Sequence, residues 1–430
     1  MTDKQATIRA IDSFITEEME AGEAPGLAIT VVRDGEVVLQ RGYGYADIES
    51  RAPMTERTGV VIGSTTKALT CAALLQLVEK GQLDLDDPIR RYIPTFRVAD
   101  EEASAGMTVR QAVTHNAGLP PSLSDDPSFL FTDYAGADAC ERYVDGVLPT
   151  RKLLWAPGGG WVYSNDGFVV AGRVIEVVSG MSYEDYMQRH VFAPLGLEDA
   201  RFTPEEKHDL PLATPHDYDQ DGHAYTSFFP RNRASAAAGS QLILSARDAA
   251  RWLQAVLDGG RGEQGQVLSA ASVAEMVRPM VKVPQGERGS DGSDTSYALG
   301  WMAGALDGIT TVSHGGATIT MGSQFIMVPQ ERLAVAVVAN SVSDLTSIVA
   351  EGVTRLMLGR EPVRHFPRVD RSFEPDRALW PQLAGTYTPL RLQNTVTGPL
   401  PIEFDGQRLR ARTYPGDERR RPGDIWLYPV

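Results

Sequence analysis

The chain has 430 residues, of which 42% are hydrophobic and 23% are charged, and its formal net charge is −15. These apolar residues are numerous enough to build a core, which argues against intrinsic disorder. The acidic balance argues against a nucleic-acid partner, which needs a basic surface, and against binding to anionic membranes. The length predicts two to three domains, or one large catalytic domain with an appendage.

The cysteines and the first residues indicate the compartment. Cys71 and Cys140 are the only cysteines, too few for a disulfide framework or a cysteine-based zinc site, and Cys71 is expected to be a buried thiol. Residues 1–22 are polar and acidic and lack the basic and then apolar pattern of a signal peptide. No apolar run approaches the roughly 18–20 residues that cross a bilayer. These features predict a soluble, cytoplasmic protein.

Hydrophobic spacing and turn signals predict the elements in chain order. Thr108, Ser182 and Ser245 are placed to cap helices, and Gly81 and Gly180 are placed to end them. The first predicted elements are a helix over 8–19 and a hairpin of strands 27–32 and 36–40 around Asp34-Gly35. Five helices follow, over 64–80, from 108 to about 115–118, over 168–178, from 182 onward and from 245 to about 257. The last predicted elements of this part are strands over 310–313, 323–328 and 333–339.

This order of elements indicates the fold class. Strands at both ends with helices between them predict an α+β fold, in which one antiparallel sheet is built from distant segments and flanked by helices, beside a helical region. Residues 1–365 are assigned to this domain and 366–380 to a linker. Residues 381–430 are predicted to form a small all-β appendage, too short to close a full barrel. Its predicted strands are 386–388, 390–396, 402–404, 409–413 and 425–428, with a turn at Asp405-Gly406.

Ser64 and Lys67 form a Ser-x-x-Lys motif at the start of the second predicted helix. Positions three apart share one face of a helix, so the amine lies beside the hydroxyl. A neutral amine can take the serine proton and make the oxygen nucleophilic, and the helix N-terminus favours a developing negative charge. Alone, the motif is a weak signal, because the six lysines of the chain give roughly 0.3 chance matches.

Tyr163 and Asn165 form a Tyr-x-Asn motif in a loop that follows three glycines. A phenol acts as a base only where a cation favours the phenolate, and Lys67 would be that cation. The amide of Asn165 offers an acceptor for a lysine and a donor for a substrate carbonyl. The alternative is a buried aromatic residue beside a turn asparagine.

A third motif follows the strand-like run 310–313 and comprises His314, Gly315, Gly316 and Ala317. Two glycines beside a strand allow a substrate backbone to approach closely. The N–H of Ala317 can pair with that of Ser64 to bind an oxyanion. His314 can donate to a substrate carboxylate or to Tyr163. The alternative is a simple turn at the end of a strand.

The three motifs occur in order, about 100 and then about 150 residues apart, and together they are improbable by chance. In this arrangement the chain resembles the serine β-lactamase and penicillin-binding protein superfamily, in particular its class C-like branch. That branch also contains D-aminopeptidases, DD-carboxypeptidases and family VIII carboxylesterases. The resemblance covers residues from about 7 to about 357. The C-terminal β segment is similar to the small lipocalin-like domain of some members.

The resemblance implies a role for each motif residue. Ser64 is the acylated nucleophile, Lys67 its base partner and Tyr163 the general base. Asn165 orients the substrate, and the amides of Ser64 and Ala317 form the oxyanion hole. The implied protein is a metal- and cofactor-independent serine hydrolase that forms an acyl-enzyme on small esters, D-amino-acid amides or short peptides. A homo-oligomer is compatible with this interpretation.

Two departures separate the chain from typical β-lactamases. His-Gly-Gly stands where those enzymes have Lys-Thr-Gly, and no export signal is visible, which argues against a cell-wall substrate. β-Lactamase or DD-peptidase activity therefore remains an alternative, as does a catalytically silent penicillin-binding or sensor protein. A catalytically silent protein would have no physical reason to keep Ser64, Lys67, Tyr163 and Asn165 together.

One segment imitates a metal site. Residues 216–223 begin like a Ca²⁺ loop, but Phe228 occupies the twelfth position, where a bidentate glutamate is required, so a solvated turn is predicted. The Gly-x-Ser-x-Gly, Walker A and His-Glu-x-x-His motifs are absent. His115 lies at the end of a predicted helix and is interpreted as a structural residue.

Overall fold

A computed structural model provides the coordinates of the chain. It describes residues 3–22, 24–121, 136–207, 209–218, 224–227, 229, 232–284, 294–318, 320–342, 344–363, 378, 380–387, 400–404, 409–412 and 424–427.

The helices are distributed along the whole described chain, and most of the predicted ones are present. Thr108 forms a complete capping box with Gln111, and the hydroxyls of Ser182 and Ser245 accept the expected backbone N–H bonds. The bounds are α1 (Asp3–Ala21), α2 (Thr66–Glu79), α3 (Glu101–Gly106), α4 (Val109–Val113), α5 (Ala139–Gly146), α6 (Asp166–Ser179), α7 (Tyr183–Tyr186), α8 (Ala193–Leu195), α9 (Ala246–Leu257), α10 (Ala270–Val277), α11 (Leu345–Met357) and α12 (Trp380–Leu383).

The strands of the large sheet come from both ends of the sequence, as predicted. Within the described residues the sheet has nine strands in the order β10-β11-β12-β13-β14-β15-β1-β2-β3, and neighbouring strands are antiparallel. The fold is therefore α+β. The bounds are β1 (Gly26–Arg33), β2 (Glu36–Asp47), β3 (Ala52–Pro53), β10 (Val281–Lys282), β11 (Ser296–Tyr297), β12 (Met302–Leu306), β13 (Ile309–Ala317), β14 (Gly322–Val328) and β15 (Leu333–Ala339).

Smaller strand pairs lie between these segments. They are β4 (Val60–Val61) with β7 (Ile243–Leu244), β5 (His216–Tyr218) with β6 (Ala224–Thr226), and β8 (Arg261–Gly262) with β9 (Gly265–Gln266). The first pair matters for the site, because it fixes the chain just before Ser64 against the chain that follows Gly239.

Alternation along the central strands divides the core into two layers. Leu27, Ile29 and Val31 of β1 belong to a cluster with α1 and α11 on one face of the sheet. The alternate positions, including Ala28, belong to a second and larger cluster with α2, α6 and α9. Every residue of β14 and β15 is buried, because helices cover both faces of the sheet there. The second layer holds α2 rigidly against the sheet, and the candidate site lies at the start of α2.

The predicted hairpin and the buried helix are both confirmed. Asp34 and Gly35 have φ of +53° and +80°, the left-handed values that an Asp-Gly turn between two strands requires. The helix α2 is buried along most of its length and is followed by Gly81 at φ +66°. Cys71 in this helix is buried and free, as predicted. None of the described helices is long and apolar enough to cross a membrane.

The C-terminal part of the described chain forms a separate antiparallel sheet. Four strands pair in chain order, and the ring of Trp380 meets that of Phe404 edge-on at a centroid distance of 6.2 Å. The predicted strand at 390–396, the Asp405-Gly406 turn and most of the predicted linker lie outside the described residues. The division at 365 and 381 therefore stays a prediction. The bounds are β16 (Gly385–Tyr387), β17 (Leu400–Phe404), β18 (Leu409–Arg412) and β19 (Asp424–Leu427).

Candidate active site

Ser64 lies in a single 3₁₀ turn, Gly63–Thr65, that leads directly into α2. The sequence placed Ser64 at this helix end. Two side chains anchor the turn: the hydroxyls of Thr65 and of Ser323 on β14 both donate to the carbonyl of Ile62, at 2.9 and 2.6 Å. The turn is therefore fixed to the central sheet, and the nucleophile candidate has a rigid backbone.

Lys67 is fully buried on the first turn of α2. Its Nζ lies 2.9 Å from Ser64 Oγ, 2.7 Å from Asn165 Oδ1 and 2.7 Å from the carbonyl oxygen of Ala238. Burial lowers the pKa of this amine well below its usual range, and no carboxylate is among its hydrogen-bond partners to oppose the shift. Burial therefore favours the neutral form of this amine.

The partners of Lys67 determine where its lone pair points. A neutral amine has two N–H donors and one lone pair. The amide oxygen of Asn165 and the carbonyl of Ala238 are acceptors, so they take the two N–H groups. In this neutral form the lone pair is left for Ser64 Oγ, whose hydroxyl proton it could accept. This is the arrangement that a serine nucleophile with an adjacent base requires.

Tyr163 and Asn165 approach this pair from the loop that precedes α6. Asn165 is the residue before the first turn of α6 and is buried. The hydroxyls of Tyr163 and Ser64 are hydrogen-bonded to one another, and Lys67 Nζ lies 4.9 Å from the centroid of the tyrosine ring. Burial raises the pKa of Tyr163 above its usual value. Burial therefore opposes the expected ammonium–phenolate pair, because it disfavours the charged form of both groups.

The His-Gly-Gly-Ala motif lies within β13, although the sequence placed it after a strand. Its residues continue the ladder with β14, and Gly316 pairs with Ser323. A β-carbon on Gly316 would lie 1.9 Å from the carbonyl oxygen of Ile62. The glycine therefore admits the backbone of the Ser64 turn, whereas the sequence suggested that it admits substrate.

The backbone amides proposed for the oxyanion hole lie in the same tightly packed region. A β-carbon on Gly63 would lie 2.5 Å from the nitrogen of Ala317, and one on Gly239 would lie 2.8 Å from the nitrogen of Ser64. Both glycines have positive φ, +60° and +119°. They bring Ala317 of β13 and the 238–239 segment into close contact with the Gly63–Thr65 turn that carries Ser64.

His314 is buried and both of its ring nitrogens are engaged. Nδ1 lies 2.6 Å from the carbonyl oxygen of Gly315 and must donate to it, so Nε2 accepts from the hydroxyl of Tyr297 at 3.1 Å. Burial lowers the pKa of His314 to about 3. The residue is a neutral imidazole with no free N–H. As placed, it donates neither to a substrate carboxylate nor to Tyr163, the two roles that the sequence suggested for it.

Several residues at the site carry no sequence signal. Ala238 contributes a backbone carbonyl and Gly239 the absence of a side chain, and neither stands in a recognisable motif. Tyr297 is 17 residues before its partner His314 in the chain. The pairing of β11, β12 and β13 brings the two residues together. His115, interpreted as structural, stacks on Tyr163 with ring centroids 4.2 Å apart.

The described residues contain no group of three or more histidine, cysteine, aspartate or glutamate side chains that could hold a metal ion. Residues 219–223 and Phe228, which make up half of the loop resembling a Ca²⁺ site, lie outside the described residues. The chemistry available at the described site is that of serine, lysine and tyrosine side chains with backbone amides.

Comparison with known proteins agrees with this constellation. The Beta-lactamase family profile matches residues 11–351. The chain therefore belongs to the beta-lactamase family, within the serine β-lactamase and transpeptidase superfamily. It is 28% identical to penicillin-binding protein 4 of Amycolatopsis lactamdurans over 377 residues, which cover 84% of this chain and 93% of that one.

One solved structure and one further relative are also similar to this chain. The structure of the octameric penicillin-binding protein homologue from Pyrococcus abyssi aligns with a TM-score of 0.74 and 26% identity, over 98% of this chain and 90% of that one. Protein flp of Staphylococcus aureus strain MW2 is 24% identical over 344 residues, which cover 79% of this chain. The matched region spans 64% of the length of protein flp.

Proposed function

We propose that this protein is a serine hydrolase that forms an acyl-enzyme at Ser64 on small esters, D-amino-acid amides or short peptides. The observation that carries the proposal is the fully buried amine of Lys67, which lies 2.9 Å from Ser64 Oγ and whose pKa is lowered by burial toward the neutral form that can accept a proton. A serine hydroxyl gains nothing structurally from a buried, desolvated lysine, whereas a nucleophile requires such a base.

The reaction follows from these contacts. Ser64 Oγ attacks the substrate carbonyl carbon while its proton passes to Lys67 Nζ, and the amides of Ser64 and Ala317 donate to the oxyanion. The tetrahedral species collapses when the bond to the leaving group breaks, and Tyr163 donates the proton that this group needs. Lys67 returns a proton to Tyr163. Water then attacks the acyl-enzyme, its proton passes to the same pair of groups, and Ser64 is regenerated.

The neutral state of His314 supports esters and uncharged amides as substrates. A lysine at this position would supply a cation for a substrate carboxylate, and the engaged imidazole supplies neither charge nor a free N–H. We therefore expect p-nitrophenyl butyrate to be a better substrate than nitrocefin, which carries a carboxylate.

Penicillin binding is the second candidate, and the similarity to a penicillin-binding protein favours it. Such a protein uses the same acylation step, but water does not rapidly release the acyl group from it.

Self-association is proposed on a separate observation, since the structural relative from Pyrococcus abyssi is described as octameric.

The first prediction concerns covalent labelling. We expect a fluorophosphonate probe to add its mass to Ser64 and to no other residue, because the oxygen of this serine lies 2.9 Å from the buried amine of Lys67. Peptide mapping by mass spectrometry checks the site. Ser64→Ala should lose both the label and p-nitrophenyl butyrate hydrolysis, while Ser13→Ala, a change at an exposed serine on α1, should lose neither.

The outcome distinguishes the candidates. Turnover of the ester with label at Ser64 supports the hydrolase. Stable penicillin acylation at Ser64 without turnover supports the penicillin-binding protein. No label after long exposure to both reagents contradicts the nucleophile assignment and leaves the silent binding protein.

A further inference from the structure

His115 holds the backbone on both sides of Tyr163. Its carbonyl oxygen accepts from the N–H of Val162 at 3.0 Å, and its Nδ1 accepts from the N–H of Ser164 at 3.2 Å. To reach both groups, His115 adopts φ of +59°, a left-handed value that residues other than glycine rarely take. Strain of this kind persists where the surroundings hold it, and it concentrates at functional sites.

The ring of His115 also connects two motifs. It lies against the ring of Tyr163 at a centroid distance of 4.2 Å and against the ring of Tyr297 at 4.4 Å. Tyr297 in turn donates its hydroxyl proton to His314. His115 is therefore packed between the tyrosine that contacts Ser64 and the tyrosine that fixes His314.

The protonation of His115 excludes a direct role in proton transfer. Because Nδ1 accepts, the single ring proton is on Nε2, and that atom is buried with no hydrogen-bond partner in the described part of the chain. Burial holds the pKa of His115 well below its usual range. A neutral ring with an occupied lone pair acts on the site only through its contacts.

We propose that His115 is a positioning residue that sets the place of the Tyr163 hydroxyl between Ser64 and the leaving group. This inference rests on the proposed hydrolase function. The Nδ1 acceptor fixes the backbone of the loop through Ser164, and the ring face fixes the phenol. A displacement of a reacting group by about 1 Å can cost roughly 10²-fold in rate, so contacts that only position are expected to have large kinetic effects.

The test separates the acceptor from the space that the ring fills. His115→Asn keeps an acceptor at the position of Nδ1 and tolerates the left-handed φ, whereas His115→Phe keeps an aromatic ring and loses the acceptor. With p-nitrophenyl butyrate we expect kcat to fall roughly 10²-fold in His115→Phe and less than about 10-fold in His115→Asn, with KM within about twofold in both. His190→Asn, at a half-buried histidine that stacks on Tyr186, is the matched control and should leave kcat unchanged.

His115→Gly provides a second comparison if the phenylalanine variant fails to fold. Glycine accepts the same φ and lacks the acceptor, so its kcat should lie well below that of His115→Asn. Equal kcat in the asparagine, glycine and folded phenylalanine variants, or a loss confined to KM, would overturn the positioning role. Ester hydrolysis that persists in the Ser64→Ala variant would instead overturn the proposed function. The two failures are therefore distinct.

Discussion

Replacing Lys67 by methionine is expected to lower kcat for p-nitrophenyl butyrate by on the order of 10³-fold or more, with the protein still folded. Methionine fills nearly the same volume but has no lone pair to take the proton of Ser64, which lies 2.9 Å from Nζ in the wild type. Steady-state kinetics with circular dichroism as the folding check measures the effect. Lys80→Met, at an exposed lysine just after the same helix, should keep wild-type kcat.

The same substitution should remove a pH dependence of stability. Burial lowers the pKa of Lys67 far below its ordinary value of 10.5, so the unfolded chain binds a proton that the folded chain excludes. Stability at this residue therefore rises with pH until the ordinary value is reached, by at most about 1.4 kcal/mol per pH unit for one proton. It decreases as the pH falls, until the folded pKa is reached.

Urea unfolding of both proteins between pH 7 and pH 9 isolates this contribution. We expect the free energy of unfolding of the wild type to increase with pH relative to that of Lys67→Met. Parallel curves would mean that Lys67 is protonated inside the folded protein. They would contradict the neutral amine, and with it the direction of the lone pair at Ser64.

The helices and strands that carry the site were predictable because their signals are local. Ser64 and Lys67 are three residues apart, so their proximity follows from helical geometry alone. The cap at Thr108 and the Asp34-Gly35 turn likewise depend on neighbouring residues. The α+β class followed because strand signals at both chain ends flank helical ones.

What the sequence missed depends on contacts between distant segments. The lowered pKa of Lys67 reflects how completely the surrounding residues bury its amine, and no local pattern encodes that burial. The carbonyl of Ala238 is supplied by backbone, which any residue could provide. His115 has the spacing of a residue at a helix end, and only the tertiary fold places its ring against Tyr163 and Tyr297.

The position of the His-Gly-Gly motif shows the same limitation. Glycines usually weaken a strand, so the sequence placed the motif after the strand, with a simple turn as the alternative interpretation. In the structure Gly316 stays in the ladder, because its missing side chain makes room for the turn that carries Ser64. The glycine is therefore required by contact with residue 62, which is more than 250 positions away in the chain.

The two neighbouring glycines of this motif provide a matched pair for the second large effect. A β-carbon on Gly316 would lie 1.9 Å from the backbone oxygen of Ile62, so Gly316→Ala must push β13 away from the Ser64 turn. We expect roughly a 10²-fold or greater loss of kcat, because the Ala317 amide leaves its place beside Ser64, and a loss of stability of about 1–3 kcal/mol from overpacking.

Gly315→Ala is the control for this substitution. Gly315 is exposed, and the contact of its added β-carbon under 3 Å is with the amide oxygen of the Gln324 side chain, which can turn aside. We expect this variant to keep a melting temperature within a few degrees of the wild type and kcat within about threefold. Comparable losses of kcat in both variants would mean that substrate contact with the glycine pair is what matters. A loss in Gly316→Ala alone assigns the effect to the fit between β13 and the nucleophile turn.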